Sequence, residues 1–156
     1  MTQVLKVGIA GHGMVGKRRH SFIDAHPEMK VVAASDRKYD QNNSKINQLS
    51  IYNDFRTLLE CESLDVFFVC LPNDVAAEAT IEGLKKGCHV FCEKPPGRNI
   101  RDIQLVREAE KKYPNLNIKT IIVDDNSKEE NLNRIKKLIV DKKVEIISLD
   151  LKNFED

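Results

Sequence analysis

Apolar residues in this chain come in short blocks, each closed by a glycine, a proline or a polar cluster. The blocks Leu5–Ala10, Met29–Ser35, Ser50–Tyr52, Leu64–Leu71 and His89–Cys92 have strand length. In the fourth, Val66-Phe67-Phe68-Val69-Cys70 does not alternate, which predicts a parallel strand covered on both faces. Between the blocks, helical spacing covers Met14 to about His26, with Val15, Arg19, Phe22 and Ile23 near one face, then Phe55–Glu60, Val75–Lys86 and Ile100–Lys112. Asp54 and Asn99 stand where an N-cap is needed, Gly87 where a C-terminal glycine is needed, and Pro27 just past a helix end. Asp36 to Gln48 is polar and predicts an exposed connection. Strand and helix alternate, so the expected fold is α/β, a doubly wound, mostly parallel sheet with right-handed crossovers. Past Pro114 the pattern weakens. Ile118–Val123 reads as a sixth strand, Asp124–Glu130 as a charged turn, Leu132–Lys142 as a helix and Val144–Leu151 as one more strand.

The turn after the first strand is Gly11-His12-Gly13-Met14-Val15-Gly16. Strand, glycine turn and helix in that order form a dinucleotide-binding unit, a Rossmann fold. Gly11 permits the turn, Gly13 lets backbone approach a pyrophosphate, and Gly16 lets helix and strand pack closely. Phosphates would rest on free amides at the helix N-terminus, where the macrodipole also favours an anion. Asp36 ends the second strand 20 residues after Gly16, where an acid can accept hydrogen bonds from the ribose hydroxyls and repel a 2′-phosphate. NAD is therefore expected over NADP. Arg37 and Lys38 act in the other direction, since cations there tolerate a 2′-phosphate and leave NADP possible.

Composition narrows the partners. The 156 residues suit one domain, and 25 basic against 24 acidic side chains give a net charge of +1. No global field attracts nucleic acid or anionic lipid, and no apolar stretch is long enough to span a membrane, so the expected location is cytoplasmic. Lys17-Arg18-Arg19-His20 is expected to be a solvated helix face. Cys61, Cys70, Cys88 and Cys92 lack C-x-x-C spacing and are expected to be reduced and structural. His12, His20, His26 and His89 show no metal-binding spacing, so no metal site is expected.

With Leu71-Pro72-Asn73 and Glu93-Lys94-Pro95 added, residues 4 to 123 resemble the Gfo/Idh/MocA family of NAD(P)-dependent sugar oxidoreductases. The resemblance implies that Leu71, Pro72, Asn73, Glu93, Lys94 and Pro95 join Gly11–Gly16, Asp36 and Arg37 around the cofactor. It places Lys94 beside the nicotinamide and the reacting hydroxyl. Pro95 would shape the turn that aims Lys94, a cis bond being one way, and Glu93 would hold the loop. An ammonium there stabilises a developing alkoxide. Two departures stand out: Ala76 occupies the family's histidine position, and Asp125-Asn126-Ser127-Lys128 replaces its aromatic-Asn-x-Arg stretch.

The resemblance further implies a second, substrate-binding domain, which this chain lacks or carries only in truncated form. The expected division is a Rossmann domain over residues 1–123, then a linker helix and first strand of the missing domain over 124–156. Val144–Leu151 would then have no sheet to join. Two roles follow: the cofactor domain of an oxidoreductase acting on a sugar or nucleotide-sugar hydroxyl, or a non-catalytic NAD(H)-binding module or partner subunit, with homo-oligomerisation open in either case. A methyltransferase also uses a glycine loop and an acid, but Glu93-Lys94-Pro95 has no task there.

Overall fold

The structure, a computed structural model, describes residues 4–40, 44–113, 120–125, 129–130, 133 and 144–149. The chain forms two compact units, Met1–Leu116 and Asn117–Asp156. In the first, β1 (Leu5–Ala10), α1 (Met14–Asp24), β2 (Met29–Ser35), β3 (Ser44–Ile46), β4 (Leu49–Tyr52), α2 (Phe55–Cys61), β5 (Val66–Val69), α3 (Asn73–Lys85), β6 (His89–Cys92) and α4 (Ile100–Lys112) follow in order. The strands lie β3-β4-β2-β1-β5-β6 and are parallel except for β3. The order in which strands are added reverses at β1, since β2 pairs with it on one side and β5 on the other. In such sheets a crevice opens there, at the carboxyl ends of the strands.

Two cores cover the two faces. Ile23 of α1 packs with Val7, Ile9, Val31 and Ala34 on one. Phe55, Leu58 and Leu59 of α2 and Ala76 and Ala79 of α3 pack with Ala10, Ala33, Tyr52, Phe67 and Val69 on the other. From Val7 to Ala10, β1 is buried on both faces, as a central parallel strand is. The expected caps are present: the Asp54 carboxylate accepts from the Arg56 and Thr57 amides, Asn99 Oδ1 accepts from the Asp102 amide, and Gly87 has φ of 81°.

Two expectations change in this unit. The polar stretch after Asp36 contains β3, paired antiparallel to β4 through Ile46↔Leu49, and Asn47 at φ 53° turns the hairpin. On α1 the buried positions are Gly16 and Ile23, so Val15 and Phe22 face outward, Phe22 being 63% exposed. Glycine adds nothing to a hydrophobic pattern, so periodicity finds Ile23 on the buried face but adds Val15 and Phe22 to it in place of Gly16.

In the second unit, β7 (Thr120–Asp125) and β8 (Val144–Leu149) form a two-stranded parallel sheet with Thr120 opposite Val144. The segment expected as a sixth strand thus pairs with β8, and Val144–Leu149 has a partner strand. Asn126-Ser127-Lys128 lies outside the described residues, as does the helix expected over Leu132–Lys142 except at Asn133. Among the described residues no helix is long and apolar enough to cross a membrane.

Candidate functional site

The glycine turn sits at the carboxyl end of β1, hooked to β2 by the amides of Gly11 and His12, which donate to Ser35 O at 2.8 and 3.1 Å. Gly11 has φ of 86°, and a side chain on it would meet the Cys70 carbonyl of the neighbouring strand. A Cβ on Gly13, in contrast, would touch nothing within 4 Å. Gly13 caps α1 with no side-chain hydrogen bond, and the first turn holds no acid. The helix end is therefore polar, open and not neutralised by the chain itself, which is what a bound pyrophosphate needs. The residues present fit a dinucleotide.

Asp36 lies at the end of β2, its amide donating to Tyr52 O at 3.0 Å and its side chain about one-fifth exposed. With Arg37, Phe55, Leu71, Pro72 and Val75 it lines a cleft of about 360 Å³. The cleft also carries Asp54, Asp74, Glu78 and Arg56, the last stacked over the Phe55 ring at 4.5 Å and paired with Asp54 and Glu78. Four carboxylates against two arginines give this rim a net negative charge. Asn73 opens α3, whose N-cap is Pro72. Met14 and Val15 are exposed in the first turn of α1, Met14 at 89%.

On the other side of the turn, Glu93, Lys94 and Pro95 leave the carboxyl end of β6, two strand spacings or roughly 10 Å from β1. Lys94 and Pro95 are exposed, and the Lys94–Pro95 bond is cis. Glu93 is held by Arg19 of α1, whose Nε donates to Glu93 Oε1 at 2.5 Å. Arg19 is thus half-buried and ion-paired rather than simply solvated; of the basic run Lys17 and Arg18 are the exposed members. Ala76, in place of the family's histidine, is 1% exposed and part of the core.

A polar network behind the glycine turn was not foreseen. The Tyr39 hydroxyl lies 2.6 Å from His12 Nδ1, His12 Nε2 lies 2.9 Å from His20 Nδ1, and His20 Nε2 lies 3.4 Å from Asp24 Oδ2. Neutral rings satisfy every pair if Tyr39 donates to His12, His12 to His20, and His20 to Asp24. Burial pushes the Asp24 carboxyl up, but bonds from Lys30 and the Val31 amide outweigh this and hold it below the usual range. Lys38 joins the network from above, its Nζ donating to His12 O at 2.6 Å and standing 3.5 Å from Asp36.

His12 is 6% exposed, and its pKa falls to about 4, chiefly through burial and then through His20, Lys38 and Lys17. The unfolded chain takes up the proton first as pH drops below about 6.5, so folding stability falls with it. Between about pH 7.5 and pH 5 the loss from this group is on the order of 1–2 kcal/mol. Urea midpoints across that range check this, with His12→Asn expected to flatten the profile; an unchanged slope in the variant would assign the pH dependence elsewhere.

Residues 5–119 match the profile of an oxidoreductase family with an NAD-binding Rossmann fold, GFO_IDH_MocA. D-Glucoside 3-dehydrogenase of Escherichia coli (strain K12) is 35% identical over 96 residues, 59% of this chain and 27% of that protein. Inositol 2-dehydrogenase of Salmonella typhimurium (strain LT2) is 30% identical over 113 residues, 69% of this chain and 34% of that protein. Among solved structures, apo scyllo-inositol dehydrogenase from Lactobacillus casei superposes with a TM-score of 0.66 at 25% identity, over 74% of this chain and 36% of that one. The chain thus spans about a quarter to a third of the length of these relatives.

Proposed function

The chain belongs to the Gfo/Idh/MocA oxidoreductase family, and from that membership we propose that it is the cofactor-binding domain of an enzyme oxidising or reducing a sugar or polyol hydroxyl. One juxtaposition carries the reading: the open N-terminus of α1 lies between Asp36 on one side and the Glu93-Lys94-Pro95 turn on the other. Gly11, His12, Gly13, Met14, Val15 and Gly16 hold the pyrophosphate. Asp36 accepts from the ribose hydroxyls, Arg37 with Leu71 and Pro72 borders the adenine, and Asn73 lies toward the nicotinamide end. Lys94 holds positive charge where a hydroxyl oxygen becomes an alkoxide. NAD, when bound, supplies the hydride acceptor and, reduced, the donor.

The likeness to a D-glucoside 3-dehydrogenase and an inositol 2-dehydrogenase supports a polyhydroxylated ring as the substrate class. In this reading residues 1–123 are the dinucleotide-binding domain, residues 124–156 lead toward a substrate domain, and the protein works in the cytoplasm. The base that takes the hydroxyl proton belongs, in this reading, to the substrate domain, so the 156-residue chain alone binds the dinucleotide with little or no turnover of sugars. As a module without chemistry it would act through a partner chain, the second reading, which Ala76 favours.

The test is a calorimetric titration of NAD, NADH, NADP and NADPH into the chain and its Asp36→Ala variant. NAD and NADH are expected to bind more tightly than their 2′-phosphorylated forms, and the variant to lose about tenfold of that affinity. Failure of all four to bind would overturn the cofactor assignment.

A further inference from the structure

We propose that Arg19 is the positioning residue for Lys94, fixing it through Glu93 to the helix that receives the dinucleotide. The inference rests on the reading that Lys94 lies at the nicotinamide. Two nitrogens of the Arg19 guanidinium reach the same Glu93 oxygen, Nε at 2.5 Å. The cation also lies 5.6 Å from the centre of the Phe91 ring, which stacks on Phe68 at 4.8 Å. Glu93 is bound at both ends of its own residue, since its amide donates to Val69 O at 2.9 Å while its carboxylate, only 14% exposed, meets Arg19. A partly desolvated, two-nitrogen ion pair is more rigid than an exposed one.

The far end of the turn is tied separately. Arg98 donates to Asp102 through its amide at 2.9 Å and its Nε at 3.1 Å, and Asn99 Oδ1 accepts from the Asp102 amide. Gly97 packs so closely on Asp102 that a Cβ would lie 2.8 Å from that side chain. Between these anchors Lys94 is exposed, with no hydrogen bond or ion pair of its own among the described residues. The second anchor is internal to the β6–α4 connection. The first belongs to α1, so the same helix holds the phosphates at its N-terminus and the turn bearing the ammonium through its side. Arg19 thereby makes the distance from bound cofactor to Lys94 a property of one rigid element.

The charge of the nicotinamide ring supplies the readout. An ammonium close to the ring repels the oxidised, positively charged form and leaves the reduced form untouched. The ratio of NAD to NADH dissociation constants therefore reports where Lys94 is, which a change in overall stability does not. Calorimetric titration of both forms is made on the wild-type chain and on Lys94→Ala, Arg19→Ala, Glu93→Gln and the charge-swapped pair Arg19→Glu with Glu93→Arg.

The wild type is expected to favour NADH by about tenfold. Lys94→Ala, Arg19→Ala and Glu93→Gln are each expected to bring the ratio to within about twofold of unity, and the swapped pair to restore the preference for NADH. If Lys94→Ala erases the preference while Arg19→Ala and Glu93→Gln retain it, the role of Arg19 is overturned and Lys94 stands. If Arg19→Ala weakens both forms equally, Arg19 only braces α1 and the proposal fails. A wild type without preference, or a Lys94→Ala variant that keeps it, overturns the placement of Lys94 and this inference with it.

Discussion

Gly16→Ala is expected to lose about 3 kcal/mol of folding stability or more and about a hundredfold in dinucleotide affinity. A Cβ at position 16 would stand 1.9 Å from the Gly11 carbonyl oxygen and 3.0 Å from its carbon. Both are backbone atoms, so no side-chain rotation relieves the clash. Gly11 is not free to retreat either: its amide is bonded to the Ser35 carbonyl, and the Cys70 backbone stands so near that a Cβ on Gly11 would fall 2.4 Å from the Cys70 carbonyl oxygen. The helix must move away from the sheet, taking its N-terminal amides, where the proposed site places the phosphates, and Ile23 with it. Gly13→Ala is the control, because open space surrounds it. That variant keeps most of its stability and loses affinity. Urea denaturation and calorimetry on both variants separate packing from ligand approach. A Gly16→Ala chain as stable as wild type would mean that α1 does not lie where the structure puts it.

Phe67→Ala is expected to cost about 3–5 kcal/mol. Phe67 is fully buried in the centre of β5, and its ring lies under Gly83 of α3, where a Cβ would come within 2.7 Å of it. The small residue on the helix and the large one on the strand are matched, so neighbours cannot collapse into the cavity without moving α3. Phe22→Ala gives the contrast: at 63% exposure it is expected to shift stability by less than about 0.5 kcal/mol. Chemical denaturation of the pair tests the assignment of the two faces of the sheet. Equal losses would show Phe22 to be covered after all.

Where the sequence was legible, a local cause was sufficient. The block Val66–Val69 forms a central parallel strand, buried at Phe67 and Val69 and half-buried at Val66 and Phe68, and Asp54, Asn99 and Gly87 cap helix ends through chemistry confined to a few neighbouring residues. The glycine turn and Asp36 were readable for the same reason, since strand, turn, helix and acid follow one another along the chain. What escaped was set by distance in sequence. Arg19 and Glu93 are 74 residues apart, and Tyr39 and His12 are 27 apart, so no spacing announces either pair. The short β3 carries Ser44 and Lys45, and its pairing is decided by the left-handed Asn47 rather than by any apolar pattern. The run Lys17–His20 reads as uniformly solvated because periodicity does not reveal that Arg19 and His20, of its four side chains, are half-buried against partners.

Lys38 has consequences for anyone wishing to re-engineer nucleotide preference. Substitutions aimed at the acid and its following cations are the obvious route, yet the Lys38 ammonium is bonded to the carbonyl of His12 as well as standing beside Asp36. Replacing it to change what the ribose end accepts also frees the peptide that shapes the glycine turn, and removes one of the cations keeping His12 neutral. A library varied at residue 38 alone will therefore confound selectivity with loop order, and libraries that vary residues 12, 38 and 39 together are the ones able to separate the two.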